Sequence, residues 1–214
     1  MFLRTLGSAA GGGFPQWNCA CRNCSGVRSG TLASKPRTQA QLALSVDGDR
    51  WFLVGASPDL RQQIESTPEL QARNGIRQSP IAGVLLANAD IDHTLGLLLL
   101  RELQPLRVYA TSSVRRILQE DNGMFAMLNR VPDQVRWSDF SPGEGFELKT
   151  VSDEASGLQV GAIPLGSHFP AYVSETRRAS LMPNEASCGF VVSDAAGKSV
   201  GPCFKYRAWP HGNR

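Results

Sequence analysis

Residues 81–87 constrain the fold of this chain most. The seven residues Ile81, Ala82, Gly83, Val84, Leu85, Leu86 and Ala87 carry no polar side chain. A strand with this composition is apolar on both faces, so other layers must cover both. Residues 51–56 repeat the pattern. Residues 41–46 form a strand before them, and Asp47-Gly48-Asp49 between the two is a hairpin turn signal. Residues 2–6 alternate weakly and predict a further short strand.

Helices follow from capping and periodicity. Ser57-Pro58-Asp59 predicts a helix to about residue 65, with Ser57 as N-cap and Pro58 at the first helical position. An apolar helix is expected over 94–103, a strand over 106–110 and a helix over 112–119. Residues 136–160 read as short strands with turns, and 161–165 and 187–193 as further strands. A hairpin comes first, and strands then alternate with helices. This order predicts an α/β fold with a mixed sheet covered by helices.

Composition narrows the function classes. The chain has 214 residues, 42% of them apolar and 19% charged, as in a packed globular protein. The net charge of +3 is small, and the basic residues are scattered without interleaved aromatics, which argues against a nucleic-acid partner. No apolar run is long enough to span a membrane. Residues 1–6 are too short for a signal-peptide core, and the glycines at 7–13 break it, so a cytoplasmic location is expected.

Two constellations carry chemistry. The first is Cys19-x-Cys21-x-x-Cys24, within Gly7-Ser8-Ala9-Ala10-Gly11-Gly12-Gly13-Phe14-Pro15-Gln16-Trp17-Asn18-Cys19-Ala20-Cys21-Arg22-Asn23-Cys24. Clustered thiols in such a chain favour metal over disulfides, and three thiolates suit a structural zinc that requires one more ligand. A redox pair explains only Cys21 and Cys24. Cys188 and Cys203 stand alone and read as buried or free thiols. The glycine run lacks the Gly-Lys-Ser/Thr ending of a phosphate-binding loop and reads as backbone passing close to a metal cleft.

The second is Asn88-x-Asp90-x-Asp92-His93, after a buried strand and before a helix. Ligands bind at such strand ends. Two carboxylates and one imidazole suit a hard or borderline metal. The alternative is a solvated loop with Asp90 or Asp92 capping the helix.

Together these residues resemble the PqqB family of pyrroloquinoline quinone (PQQ) biosynthesis. The resemblance rests on GSAAGGGFPQWNCACRNC, on ASPDLRQQI at 56–64 and on IDHTLGLLLLRE at 91–102, and extends over residues 1–201. It implies a metallo-β-lactamase-like αββα sandwich. That superfamily's His-x-His-x-Asp-His motif reads Asn88-x-Asp90-x-Asp92-His93 here, which disfavours dinuclear zinc hydrolysis, including phosphodiester hydrolysis. The function implied is PQQ biosynthesis, by one of two routes. One is iron(II)- and oxygen-dependent hydroxylation of the tyrosine ring in the cross-linked Glu–Tyr precursor cut from the peptide PqqA. The other is non-catalytic transport of PQQ or its precursor towards the periplasm. In the first, Asp90, Asp92 and His93 are iron ligands, and Asn88 orients one of them or bonds the substrate. Other PQQ biosynthesis proteins are expected partners.

The resemblance also implies an early end. Residues 1–201 read as the N-terminal part of the domain, and 202–214 as a tail outside the family, of the kind a frameshift leaves. The fourth zinc ligand is expected to be a histidine of the absent half, and the shortened sandwich is expected to be poorly soluble or to need a partner. His211 in the tail is a weak ligand candidate. His168 follows a strand, where superfamily members sometimes place a ligand; a surface loop is the alternative.

Overall fold

The computed structural model describes residues 1–73, 75–102 and 104–203, with the side chains of Pro202 and Cys203 excepted. The elements are β1 (Phe2–Gly7), α1 (Arg22–Arg28), β2 (Gln41–Ser45), β3 (Trp51–Val54), α2 (Leu60–Glu65), β4 (Ile81–Leu85), α3 (Ile91–Thr94) and β5 (Leu106–Ala110). They continue with α4 (Ser112–Glu120), β6 (Val135–Asp139), β7 (Gly145–Lys149), β8 (Ala155–Gly166), α5 (Glu175–Arg178), β9 (Ser187–Asp194) and β10 (Ser199–Cys203).

Two sheets stack. The first runs β1-β2-β3-β4-β5-β6 and the second β10-β9-β8-β7. β1 to β3 pair antiparallel, and β3 to β6 pair parallel. The predicted hairpin followed by alternation is therefore the observed topology. The second sheet is antiparallel throughout.

The all-apolar strands follow from having a core on each side. One face of the first sheet places Ala43, Leu53, Val84 and Val108 against Leu60, Val114, Ile117 and Leu118 of the helices. The other places Leu44, Phe52, Val54, Leu85 and Tyr109 against Leu158, Val160, Phe190 and Val192 of the second sheet. Each buried Val, Leu, Ile or Phe among these contributes about 1.5–3 kcal/mol. Gly83 is required where strands crowd: a Cβ there would lie 2.9 Å from the Phe52 ring and 3.0 Å from the Arg107 carbonyl. The outer face of the second sheet is exposed at Gln159, Ile163 and Val191.

Two local expectations are corrected. The helix expected over 94–103 is instead the single turn α3 and a 3-10 segment, Leu95–Leu100, while Leu103 lies outside the described residues. Gly96 is the reason. Its N–H bonds the Ala56 carbonyl at 2.8 Å, and a Cβ there would sit 2.3 Å from the Ser57 carbonyl. The segment is thus pressed onto the 56–57 loop and cannot continue as an α-helix. Ser57 does not cap α2, which begins only at Leu60. Its N–H bonds Gln41 Oε1 at 2.8 Å, and its hydroxyl donates to Gln63 Oε1 at 3.0 Å.

Candidate functional site

A cavity of about 1200 Å³ opens where β4 gives way to α3. Asn88, Asp90, Asp92 and His93 all line it, as do His168 and residues 8–11 of the glycine-rich strap. The 88–93 loop holds its own shape. Asn88 Oδ1 accepts the Asp90 N–H at 3.0 Å, and the His93 N–H bonds the Asp90 carbonyl at 2.9 Å. The His93 carbonyl in turn accepts the Ala56 N–H at 2.7 Å. Tyr172, from the segment before α5, donates its hydroxyl to the Ala89 carbonyl.

The loop places two carboxyls and an imidazole on one cavity wall. Burial raises the Asp90 carboxyl above the usual range, the neighbouring Asp92 charge raises it further, and His93 works against both. Burial and the Asp90 charge push the Tyr172 hydroxyl up to about 12, so it remains a donor at neutral pH.

The strap closes against the loop at one point. A Cβ on Gly11 would lie 2.9 Å from Asp92 Oδ2, so a larger residue there would push this carboxylate aside. Gln39 Nε2 holds the Gly11 carbonyl at 2.7 Å, and Gln63 Nε2 holds the Gln39 carbonyl at 2.8 Å. Sequence reasoning missed Gln39, Gln63 and Tyr172. Isolated glutamines and a loop tyrosine carry no spacing signal, and their roles arise only when distant segments meet.

The thiol cluster lies further along the strap. The Sγ atoms of Cys19, Cys21 and Cys24 all lie within 4.8 Å of one another. Cys24 is buried, and Cys21 is exposed. Hydrogen bonding, led by the Cys24 backbone amide, lowers the Cys21 thiol to about 7, so a thiolate is accessible at neutral pH. Three soft donors converging on one point fit zinc. Among the described residues, Asp90, Asp92 and His93 form no such group. The structure brings them to one cavity but not to one point. His168 lines the same cavity from an exposed loop, as its surface-loop alternative expected. His211 and residues 204–214 of the expected tail lie outside the described residues.

Comparison with known proteins follows the same lines. The sequence profile of the beta-lactamase superfamily domain matches residues 50–201. The chain belongs to the beta-lactamase superfamily. Its hairpin-then-parallel first sheet and antiparallel second sheet are this superfamily's α/β sandwich. Within the superfamily, the chain is 47% identical over 173 residues to coenzyme PQQ synthesis protein B of Pseudomonas aeruginosa, covering 80% of this chain and 56% of that protein. It is 42% identical over 203 residues to the protein of the same name from Stutzerimonas stutzeri, covering 94% and 64%. The crystal structure of Zn(2+)-bound PqqB from Methylobacterium extorquens superposes with a TM-score of 0.80 at 39% identity, covering 93% of this chain and 63% of that one. The chain thus spans between about half and two thirds of the length of these relatives. Among the described residues, no helix is long and apolar enough to cross a membrane.

Proposed function

We propose that this chain acts in pyrroloquinoline quinone biosynthesis, with the 88–93 cavity as its site for the tyrosine-derived precursor. The observation that carries this reading is the likeness to PQQ synthesis protein B at 42–47% identity, joined to a large cavity at the end of β4. Residues 1–201 act as one metallo-β-lactamase-like unit in this reading.

The metals follow from the donor types. Cys19, Cys21 and Cys24 hold a structural zinc that anchors the strap, consistent with their convergence and with the zinc in the Methylobacterium relative. Asp90, Asp92 and His93, with His168 lining the same cavity, offer the oxygen and nitrogen donors that suit iron(II). Iron bound there supplies activation of molecular oxygen for hydroxylation of the tyrosine ring. The chain's own residues do the rest. Gly11 fixes where the Asp92 carboxylate can sit, Asn88 holds the loop, and Tyr172 ties that loop to the opposite segment.

A second reading is a non-catalytic carrier of PQQ or its precursor in the same cavity. The separation of the Asp90, Asp92 and His93 donors favours it, because an ion bound by all three must first draw them together. Anaerobic iron(II) reconstitution, followed by addition of oxygen and the cross-linked Glu–Tyr precursor, separates the two. Hydroxylation adds one oxygen mass per turnover and is lost in His93→Ala. Tight precursor binding with no mass change establishes the carrier, and absence of binding removes both.

A further inference from the structure

We propose that Arg28 is the positioning residue of the thiol cluster: its guanidinium holds the Cys19 segment closed over α1 and sets the affinity for zinc. This rests on the zinc reading of Cys19, Cys21 and Cys24.

The three thiols come from two pieces of backbone. Cys24 lies within α1 and Cys21 stands at its N-cap position, so the helix backbone places these two. Cys19 belongs to the preceding turn; from within α1 the Ser25 hydroxyl reaches only as far as the Ala20 carbonyl, at 3.0 Å. Arg28 makes the connection. Its Nη1 donates to the Cys19 carbonyl and its Nη2 to the Gln16 carbonyl, so one planar fork spans both ends of the turn. A second tie points the same way: the Cys21 N–H lies 3.5 Å from Cys19 Sγ.

Charge supports the assignment. Three thiolates around a divalent ion leave one formal negative charge, which the guanidinium balances. Arg28 has no carboxylate within ion-pair distance among the described residues, so its charge is not committed elsewhere. The residue is exposed, yet its fork is spent on two backbone carbonyls rather than on solvent. Groups that orient metal ligands in this way typically govern affinity by about 10–100-fold.

The test uses the full chain and zinc alone. Zinc affinity is measured by competition with a chromophoric chelator for wild type, Arg28→Ala, Arg28→Lys and Arg22→Ala. Arg22 lies on the same helix and makes neither bond. The expected result is a loss of about 10–100-fold in Arg28→Ala, partial recovery in Arg28→Lys and no change in Arg22→Ala. The thermal midpoint of the metal-free chain should be alike in all four. The cobalt-substituted Arg28→Ala protein should also show altered ligand-field bands, because Cys19 moves. Equal zinc affinity in wild type and Arg28→Ala overturns the proposal, as does a loss that merely follows a lower metal-free midpoint. If zinc binds wild type no better than a Cys19, Cys21 and Cys24 triple serine variant, the zinc reading itself falls, and this proposal with it.

Discussion

The Cys188 N–H donates to the Ala87 carbonyl at 2.8 Å, joining the second sheet to the first where β4 ends and β9 begins. The bridge between Asn88 and Ser187 continues the seam. Cys188 is 1% exposed, and burial with the nearby Glu185 charge pushes its thiol up to about 11. The native, metal-free chain should therefore resist alkylation at Cys188 near neutral pH while exposed Cys21 is labelled. Peptide mass mapping after brief iodoacetamide treatment checks this. Labelling of Cys188 at a rate matching Cys21 would mean the seam is open.

Gly11→Ala places a methyl group 2.9 Å from the Asp92 carboxylate. The obstacle is the end of a movable side chain, so the fold should survive with a thermal midpoint close to wild type. Cavity metal binding should weaken by about tenfold or more, since displaced ligand geometry governs affinity. Gly96→Ala is the contrast. There the new Cβ meets the Ser57 carbonyl at 2.3 Å, and stability should drop by about 1–3 kcal/mol. Paired melts and iron(II) titrations of the two variants decide the matter.

Thr111 caps α4 and also reaches the second half of the chain. Its Oγ1 accepts the Val114 N–H at 3.2 Å and donates to the Glu185 carbonyl at 2.8 Å. Thr111→Ala should lose about 1–2 kcal/mol in urea unfolding, and Thr111→Ser should recover most of it. A loss under 0.3 kcal/mol, well below the ordinary value of a cap of about 1 kcal/mol, would show that water replaces the hydroxyl.

Asp153 gives a pH dependence with a defined sign. Arg107 bonds one carboxylate oxygen at 2.6 Å and Arg136 the other at 2.5 Å, and both hold the carboxyl below its ordinary range. A carboxyl depressed in the folded state binds fewer protons there than in the unfolded chain. Its stabilisation is thus complete above the unfolded value of about 4 and fades as pH falls through the lower folded value. Asp153→Asn should melt below wild type at pH 6, with the gap closing below pH 4. Asparagine tolerates the φ of 66° at this position, so backbone strain does not confuse the comparison. A gap independent of pH would place the effect elsewhere.

Much of this architecture was legible because apolar runs have few interpretations. Residues 51–56 and 81–87 had to be strands covered on both faces, and two cores divided by the first sheet are what they form. The spacing of the three cysteines likewise forecast their convergence. The cap at Ser57 misled, because the side chain that suits an N-cap also suits a buried network, and Gln41 and Gln63 compete for it. The 94–103 helix misled for a related reason. Local periodicity knows nothing of the backbone at residues 56 and 57 that Gly96 must meet. The polar loop at 88–93 stood out at a strand end, where the structure opens a cavity, but how far apart its donors stand depends on packing with distant segments.

The strap between β1 and α1 is fastened at both ends and also between them, where Gln39 holds the Gly11 carbonyl and Phe14 pairs with Arg37. Residue 9 bridges Gln39 near the sheet, and Arg28 grips the far turn, while residues 8–11 form cavity wall. It behaves as a cassette. The exposed wall positions Ser8 and Ala10 can be exchanged to resize or repolarise the chamber, while buried Ala9 and the crowded Gly11 and Gly12 limit the rest. A protein engineer seeking to admit a different ligand would begin with Ser8 and Ala10, not with the strands.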